Sequence, residues 1–168
     1  METDPDADPE SVARTIALRK LTGAPQTRAQ LATAMAKRSV PDQVAGDVLD
    51  RLTDAGLIDD AAYAQAWVQS RQAGRGLSRR ALGQELRRKG VDQEVIDDAL
   101  SLIDVGQEEA AARELVRRRL ASTDGLPVQT RVRRLLGMLA RKGYSPELAH
   151  TVVRAELDAD ELDHAEGS

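Results

Sequence analysis

Residues 88–91 of the chain read Arg-Lys-Gly-Val, and a similar signature stands at residues 37–40 (Lys-Arg-Ser-Val) and 141–144 (Arg-Lys-Gly-Tyr). The copies are spaced by 51 and 53 residues. Basic residues followed by glycine are typical of a helix C-terminus, where glycine adopts the left-handed conformation of the cap. The signature therefore predicts three helices that end alike, in three related segments.

Apolar residues recur in the same register around this signature. Four columns align downstream and in the preceding helix: Leu31, Leu82 and Leu135; Met35, Leu86 and Leu139; Val44, Val95 and Leu148; Val48, Ala99 and Val152. Three more align upstream if the loop at 122–129 is longer in the third segment: Ala13, Ala64 and Ala112; Ile16, Trp67 and Leu115; Ala17, Val68 and Val116. All are spaced as on one face of a helix, so each segment is predicted to hold three short helices.

We predict an all-α fold of three tandem three-helix repeat modules, at residues 11–57, 58–104 and 105–157, in an elongated, curved array. Ser78 is expected to be a helix N-cap, and Gly90 and Gly143 are expected to be C-terminal caps. Pro41 and Pro146 suit the first turn of a following helix. Residues 1–10 and 158–168 are rich in Asp and Glu and are expected to be acidic disordered tails.

The composition narrows the class of protein. The 168 residues include no Cys and no Phe, one Trp and two Tyr, so the apolar residues are mainly Ala, Leu and Val, which favour close-packed helices. Without Cys there can be no disulfide, no thiolate nucleophile and no cysteine zinc site. No signal peptide or membrane-spanning stretch is visible, so a soluble cytoplasmic monomer is expected.

The charge is distributed unevenly along the chain. The net charge is −4, but residues 1–10 contribute −5 and residues 156–168 contribute −6, which leaves +7 for residues 11–155. A basic body with acidic ends indicates an anionic partner, although acidic ends that only keep the protein soluble explain the pattern equally well.

Two stretches, 71–89 and 113–142, concentrate the basic residues, with net charges of +6 and +7. A helical projection places their arginines away from the apolar face, so they are predicted to be solvent-exposed. The candidate partner-binding residues are Arg71, Arg75, Arg79, Arg80, Arg87, Arg88, Lys89, Arg117, Arg118, Arg133, Arg134 and Arg141. Guanidinium groups bind both phosphates and carboxylates, and aromatic platforms for stacking bases are nearly absent. Contacts to nucleic acid, single- or double-stranded, would therefore be made to the backbone.

The sequence gives no positive sign of catalysis. His150 and His164 are isolated, and Asp59 and Asp60 are better explained as the start of a helix than as a carboxylate site. The glycines at 74 and 76 lack the remaining elements of a phosphate-binding loop. Tyr63 and Trp67, four residues apart, are expected in the core. We expect a protein that is not an enzyme and has no metal or cofactor.

The middle segment resembles a known family. Residues 57–64 read Leu-Ile-Asp-Asp-Ala-Ala-Tyr-Ala, residues 67–71 read Trp-Val-Gln-Ser-Arg, and residues 84–91 read Gln-Glu-Leu-Arg-Arg-Lys-Gly-Val. This combination is similar to the central signature of the RecX regulatory family, and length and three-module organisation extend the resemblance across residues 11–157.

The resemblance implies a negative regulator of the RecA recombinase. Such a protein lies in the groove of the RecA–DNA filament and inhibits its ATPase, strand-exchange and coprotease activities, which modulates recombination, DNA repair and the SOS response. A sequence-specific helix-turn-helix DNA-binding protein is the alternative, because three-helix modules also serve that class. Against it, the expected third helices at 92–103 and 146–157 carry acidic or apolar residues where base-reading side chains would be needed.

Overall fold

The computed structural model describes residues 7–167, and this part of the chain contains nine α-helices and no strand. The helices are α1 Pro9–Gly23, α2 Arg28–Lys37, α3 Asp42–Asp54, α4 Asp60–Arg75, α5 Arg79–Arg88, α6 Gln93–Ser101, α7 Val105–Leu120, α8 Val128–Arg141 and α9 Pro146–Glu166, with a 3₁₀ turn, η1, at Ala121–Thr123. They form repeat 1 (α1–α3), repeat 2 (α4–α6) and repeat 3 (α7–α9). The predicted all-α fold of three-helix repeats is confirmed for these residues.

Five of the seven repeated apolar columns are buried and form the cores. Ala13, Ala64 and Ala112 are each fully buried, although they lie in three different repeats. The residues of another column, Leu31, Leu82 and Leu135, are also buried, each with an exposed fraction of 1% or less. Because alanine occupies the tightest positions, the first helix of a repeat can lie close to its neighbours.

Caps define where the helices begin and end. Ser78 Oγ accepts the N–H of Ala81 at 3.0 Å, and Asp59 Oδ1 accepts the N–H of Ala62 at 3.0 Å, so the predicted N-cap at Ser78 and the helix start expected at Asp59 are confirmed. Gly90 and Gly143 have φ values of +80° and +89°, as expected of C-terminal caps. Pro41 differs from the prediction, because it is the N-cap of α3 and lies just outside the helix.

The cap that ends the second helix has the same hydrogen bond in all three repeats. Val40, Val91 and Tyr144 each donate their backbone N–H to the carbonyl five residues earlier, on Met35, Leu86 and Leu139 respectively, at 3.1 Å. Repeat 1 makes this turn with Ser39 at φ +59°, where repeats 2 and 3 have glycine. The signature of residues 88–91 is therefore one structural element that occurs three times.

The ends of the chain differ from the predicted tails. Of residues 1–10, positions 1–6 lie outside the described residues, whereas Asp8 caps α1 and accepts the N–H of Ser11. At the other end α9 continues to Glu166, so residues 158–166 are helical and not the predicted disordered tail. Leu157 is buried, and Asp160 accepts a hydrogen bond from Arg131 at 3.0 Å, which anchors the extra turns to α8.

Proximity of Cα atoms divides the chain into two compact units. The first, unit 1, comprises Met1–Trp67 and Glu85–Ala99, and the second, unit 2, comprises Val68–Gln84 and Leu100–Ser168. The core of unit 1 is built on α1, α2 and α3, and that of unit 2 on α7, α8 and α9. The division falls within repeat 2, so the predicted module boundaries remain a prediction.

Each unit contains one copy of a contact between consecutive repeats, here called the joint. In unit 1, Thr27 Oγ1 donates to the carbonyl of Lys89 at 2.6 Å. In unit 2, the backbone N–H of Ser78 donates to the carbonyl of Lys142 at 3.0 Å. In both cases the N-cap of a second helix meets the turn that ends the second helix of the next repeat, and it satisfies a carbonyl left open at that helix end.

An acidic side chain completes each joint. The N–H of Arg28 donates to Asp60 Oδ1 at 2.9 Å, and the N–H of Arg79 donates to Glu108 Oε1 at 3.2 Å. Both carboxylates come from the first turn of the next repeat's first helix. Negative charge at a helix N-terminus is favourable, so the next repeat also stabilises the helix against which it packs.

Candidate partner-binding surface

Four arginines line one groove of unit 2. This α8 groove encloses about 480 Å³, and its lining residues are Arg119, Ser122, Thr123, Arg133, Arg134, Leu135, Gly137, Met138 and Arg141. Since none of these residues is acidic, the groove carries four positive charges without an internal counter-charge. Such a surface attracts an anionic partner.

Helix α8 is amphipathic, and three of its arginines face solvent. Leu135 and Leu139 are buried on one side of the helix, while Arg133, Arg134 and Arg141 are exposed. The last turn of α7 supplies Arg119, and its exposed side chain faces the same groove. The groove is basic because α8 buries a single apolar face and carries arginines on its exposed face.

The turn η1 forms one end of the groove. Thr123 is buried, and its hydroxyl donates to the carbonyl of Leu120 at 2.7 Å. Arg131 in turn donates from Nε to Thr123 Oγ1 at 3.0 Å and from Nη2 to Asp160 at 3.0 Å, with only 12% of its side chain exposed. Arg131 therefore holds the groove wall in place and is not available to a partner.

Gly137 lies in the middle of α8 on the groove lining. A Cβ at this position would lie 3.3 Å from Nη1 of Arg141, so the absence of a side chain gives that guanidinium its space. Glycine inside a helix costs about 0.5–1 kcal/mol relative to alanine. Gly137 therefore leaves room for the Arg141 guanidinium on the groove lining, at some cost in helix stability.

A second groove in unit 2, the α4 groove, shares Arg119 and Met138 with the α8 groove. It encloses about 340 Å³ between the end of α4, α7 and α8. Its charged lining residues are Arg75, Glu114, Arg118, Arg119 and Lys142. The two grooves are contiguous, so Arg119 belongs to a basic surface larger than either groove.

Two predicted contact residues in α7 have partners within the protein. Arg117 donates to Glu156 from Nε at 2.9 Å, and Arg118 donates to Glu114 from Nε at 3.1 Å. The hydrogen bond to Glu156 raises the pKa of Arg117 above its ordinary value. Glu156 is buried and also accepts from Arg113 at 3.2 Å. Arg117 therefore joins α7 to α9 within unit 2. The sequence predicted Arg117 only as a partner-binding residue, so this internal role was not expected.

The remaining predicted residues of unit 2 lie at the ends of α4 and α5. Arg75 and Arg80 are exposed, while Arg71 and Arg79 are half-buried. Arg75 lines the α4 groove, and Arg79 occupies the second joint through its backbone N–H. The exposure of the Arg80 side chain confirms that it faces solvent, as predicted. Arg79 instead contributes to the joint between repeats 2 and 3.

In unit 1 the predicted residues Arg87 and Arg88 end α5, and Lys89 follows it. Arg87 and Arg88 are exposed, and Arg87 Nε donates to Gln93 at 2.8 Å. The Lys89 ammonium lies 5.0 Å from the ring centroid of Trp67, a cation–π arrangement. Any partner that displaces Lys89 would change the surroundings of the single tryptophan.

Trp67 is not the core residue that the sequence suggested. It is half-buried, stacks on Tyr63 with ring centroids 6.0 Å apart, and donates its indole N–H to Glu85 at 2.8 Å. Its column partners Ile16 and Leu115 are also half-buried. This column therefore marks the edge of each core.

Sequence reasoning left two groove residues out of the predicted set. Arg119 lines both grooves and Lys142 lines the α4 groove, yet neither was proposed as a contact. The run of three arginines at 117–119 was the available signal. Successive helix residues point about 100° apart, so at most one or two of the three could face the same groove.

The third helices carry charge of the opposite sign. In α3 the exposed acids are Asp42, Asp47, Asp50 and Asp54, and in α6 they are Glu94, Asp97 and Asp98. The second helices α5 and α8 are basic instead. Third helices with acidic outer faces are poorly suited to a DNA groove.

Within the described range no group of three or more His, Cys, Asp or Glu side chains is placed to hold a metal ion. No helix between residues 7 and 167 is both long and apolar enough to cross a membrane.

Comparison with known proteins identifies the class. The family profiles of the RecX first, second and third three-helix domains match residues 13–52, 59–100 and 107–153. The regulatory protein RecX of Thermobifida fusca (strain YX) is 57% identical over 148 residues, covering 88% of this chain and 80% of the relative. That of Streptomyces coelicolor is 55% identical over 157 residues, covering 94% and 84%.

Solved structures share the fold. The crystal structure of RecX from Lactobacillus salivarius superposes with a TM-score of 0.81 at 19% identity, covering 89% of this chain and 97% of the other. A second crystal structure of a regulatory protein RecX gives a TM-score of 0.75 at 23% identity, covering 90% and 78%. With three helical domains and close relatives of that name, the chain belongs to the RecX family of regulatory proteins.

Proposed function

We propose that this chain binds the filament that a RecA recombinase forms on DNA and lowers its ATPase, strand-exchange and coprotease activities. It would thereby act in the bacterial cytoplasm as a negative regulator of recombination, DNA repair and the SOS response. The observation that carries the proposal is the α8 groove, whose four arginines have no acidic residue among the groove lining.

Arginine chemistry supports a partner that is anionic and extended. Guanidinium groups bind carboxylates and phosphates through paired, charge-assisted hydrogen bonds. A nucleoprotein filament presents both groups, as acidic side chains on the protein and as phosphates on the DNA. The α8 and α4 grooves offer a contiguous basic surface in unit 2, and Arg87, Arg88 and Lys89 offer another in unit 1.

Contacts to DNA, single- or double-stranded, would be made to its backbone. Apart from the arginines, the α8 groove is lined by aliphatic and hydroxyl side chains and has no aromatic residue on which bases could stack. Binding that depends on phosphate contacts weakens steeply with salt, with a log–log slope of about −0.7 for each phosphate neutralised on a single strand. A weaker salt dependence would assign the arginines to carboxylates of the recombinase.

We propose binding alone as the mechanism, with no reaction catalysed by this chain and no cofactor. Occupation of the filament would obstruct the conformational cycle on which ATP turnover and strand exchange depend. No observation favours a helix-turn-helix factor, because the third helices α3 and α6 expose acids where a recognition helix needs base-reading side chains.

The test is DNA-dependent ATP hydrolysis by the RecA of the same organism, with this protein added from substoichiometric to equimolar amounts. The proposal predicts dose-dependent inhibition by the wild-type protein. The variant Arg133→Ala/Arg141→Ala should inhibit much less at equal concentration. A control that removes the same charge elsewhere, Arg14→Ala/Arg19→Ala in α1, should inhibit like the wild type. Unchanged hydrolysis with folded wild-type protein would contradict the proposal.

A further inference from the structure

The guanidinium of Arg131 joins two separate parts of unit 2. Its Nε donates to Thr123 Oγ1 at 3.0 Å, and its Nη2 donates to Asp160 Oδ2 at 3.0 Å. Asp124 accepts from the same Nη2, but at 3.4 Å and from a side chain that is 54% exposed. Because a guanidinium is planar and rigid, the carboxylate of Asp160 fixes the direction in which Nε of Arg131 points.

Thr123 carries this constraint to the α8 groove, which it lines. Its hydroxyl accepts from Arg131 and donates to the carbonyl of Leu120 at 2.7 Å, so two hydrogen bonds fix the side chain. Leu120 directly follows Arg119, whose own carbonyl accepts the hydroxyl of Ser122 at 2.7 Å. The turn η1 and the end of α7 are therefore held together as one wall of the groove, and Arg119 belongs to that wall.

Asp160 itself is not among the residues that line the groove. It lies in the α9 extension, defined here as residues 158–166, whereas the match to the third RecX domain ends at residue 153. The acidic residues of the α9 extension are Asp158, Asp160, Glu161, Asp163 and Glu166. Asp160 is half-buried, with 18% of its side chain exposed, and the other four are exposed. By charge alone, acids in this extension reduce the attraction of unit 2 for an anion.

We infer that Asp160 positions the α8 groove for its anionic partner, by holding Arg131 and, through it, Thr123 and η1. A binding surface needs supporting residues that lock the side chains in contact with the partner. Asp160 therefore has two effects of opposite sign, since its charge opposes the binding of an anion and its hydrogen bond favours it. The inference rests on the proposed function, because it states what keeps that binding surface in shape.

Affinity for RecA filaments on single-stranded DNA tests the inference, with Asp160→Ala compared with the matched control Asp163→Ala. Each variant removes one negative charge from the α9 extension, so charge alone predicts that both bind as tightly as the wild type or more tightly. We expect Asp160→Ala to bind about three- to thirtyfold more weakly than the wild type. Asp163→Ala should show no loss.

A second pair of variants tests the same contact without removing a charge. Thr123→Val keeps the shape of the side chain and loses the hydroxyl that Arg131 and Leu120 share, whereas Thr123→Ser keeps that hydroxyl. The valine variant should bind filaments more weakly, and the serine variant should bind like the wild type. Circular dichroism checks that all four variants are folded. Equal affinity of the valine and serine variants would contradict the inference.

Hydrogen exchange in the free protein separates this inference from the proposed function. Backbone amides of residues 119–124 should exchange faster in Asp160→Ala than in Asp163→Ala, while those of residues 135–139 should exchange alike. The inference fails if exchange at 119–124 is the same in both variants, or if Asp160→Ala binds filaments as tightly as Asp163→Ala. Wild-type protein that binds no filament would contradict the proposed function, and exchange alone would then decide whether Asp160 holds η1.

Discussion

The hydroxyl of Thr27 donates a hydrogen bond of 2.6 Å to the carbonyl oxygen of Lys89, 62 residues further along the chain. In unit 2 the corresponding bond runs from the backbone N–H of Ser78 to the carbonyl of Lys142. The donor atom differs but the acceptor is the same, namely a carbonyl at the end of a second helix. The joint is therefore a property of the repeat and does not depend on one side chain.

Close approach at the joint makes Gly90 sensitive to the smallest side chain. We expect Gly90→Ala to lower the free energy of unfolding by about 2–4 kcal/mol, because left-handed strain and overlap with Ala29 add together. Gly56 is the control, since its φ is +77° but a Cβ there would have no neighbouring atom within 4 Å. Gly56→Ala should cost only about 1–2 kcal/mol, from strain alone. Equal losses in urea denaturation would show that the joint is not tightly packed.

Gly137 allows stability and binding to be separated. Gly137→Ala should raise the free energy of unfolding by about 0.5–1 kcal/mol, because alanine favours the interior of α8. The same change should weaken binding to the RecA filament slightly, since the new Cβ would shift the Arg141 guanidinium. Thermal melting and filament binding, measured on one preparation, check both effects. A variant that gains stability and binds normally would show that the space beside the Arg141 guanidinium is not needed for binding.

The buried Tyr144 should make the folded protein less stable at alkaline pH. Burial raises its pKa from 10.0 to about 12, with a smaller contribution from the charge of Glu108, and its hydroxyl donates to the carbonyl of Gly76. The pKa is higher folded than unfolded, so this stabilisation is complete below pH 10 and is lost as the pH rises to about 12. The loss should be on the order of 1–3 kcal/mol.

The variant Tyr144→Phe isolates this effect from other groups that titrate at high pH. It should be less stable than the wild type at neutral pH by about 1 kcal/mol, because the Gly76 carbonyl loses its donor. The difference between the two proteins should fall to zero or change sign between pH 10 and about 12, because only the wild type loses this stabilisation. A difference that stays constant over this range would be evidence against a raised pKa.

Glu156 should be more important for folding than other acids of repeat 3. Its side chain is 6% exposed and accepts hydrogen bonds from Arg113 and Arg117, so Glu156→Ala should lower the free energy of unfolding by about 1–3 kcal/mol. Glu114, in an exposed pair with Arg118, is the control, and its replacement by Ala should cost less than about 0.5 kcal/mol. Similar losses for both variants, measured by urea denaturation, would contradict a structural role for Glu156.

Helical periodicity predicted the cores because it depends only on neighbours in the same helix. The column of Ala13, Ala64 and Ala112 is buried throughout, and Gly90 and Gly143 end their helices as expected. These features follow from local sequence and from comparison of the three segments. They required no knowledge of which repeats pack together.

Contacts between distant residues could not be predicted in the same way. The pairing of Arg117 with Glu156 and that of Arg131 with Asp160 join residues that lie 39 and 29 positions apart in the sequence. Charge alone made Arg117 a candidate for partner binding and placed residues 158–168 in a disordered tail. Residues such as Asp160 were predicted to be solvated because the arginine that each one pairs with lies tens of residues away in the sequence.

Equilibrium binding to RecA filaments assembled on single-stranded DNA tests the central claim most directly, with Arg133→Ala/Arg141→Ala compared with the control Arg14→Ala/Arg19→Ala. If the α8 groove receives the filament, the groove variant should lose about tenfold or more in affinity, or about 1.4 kcal/mol, while the control binds like the wild type. Equal affinity of the groove variant, the control and the wild-type protein would contradict the account.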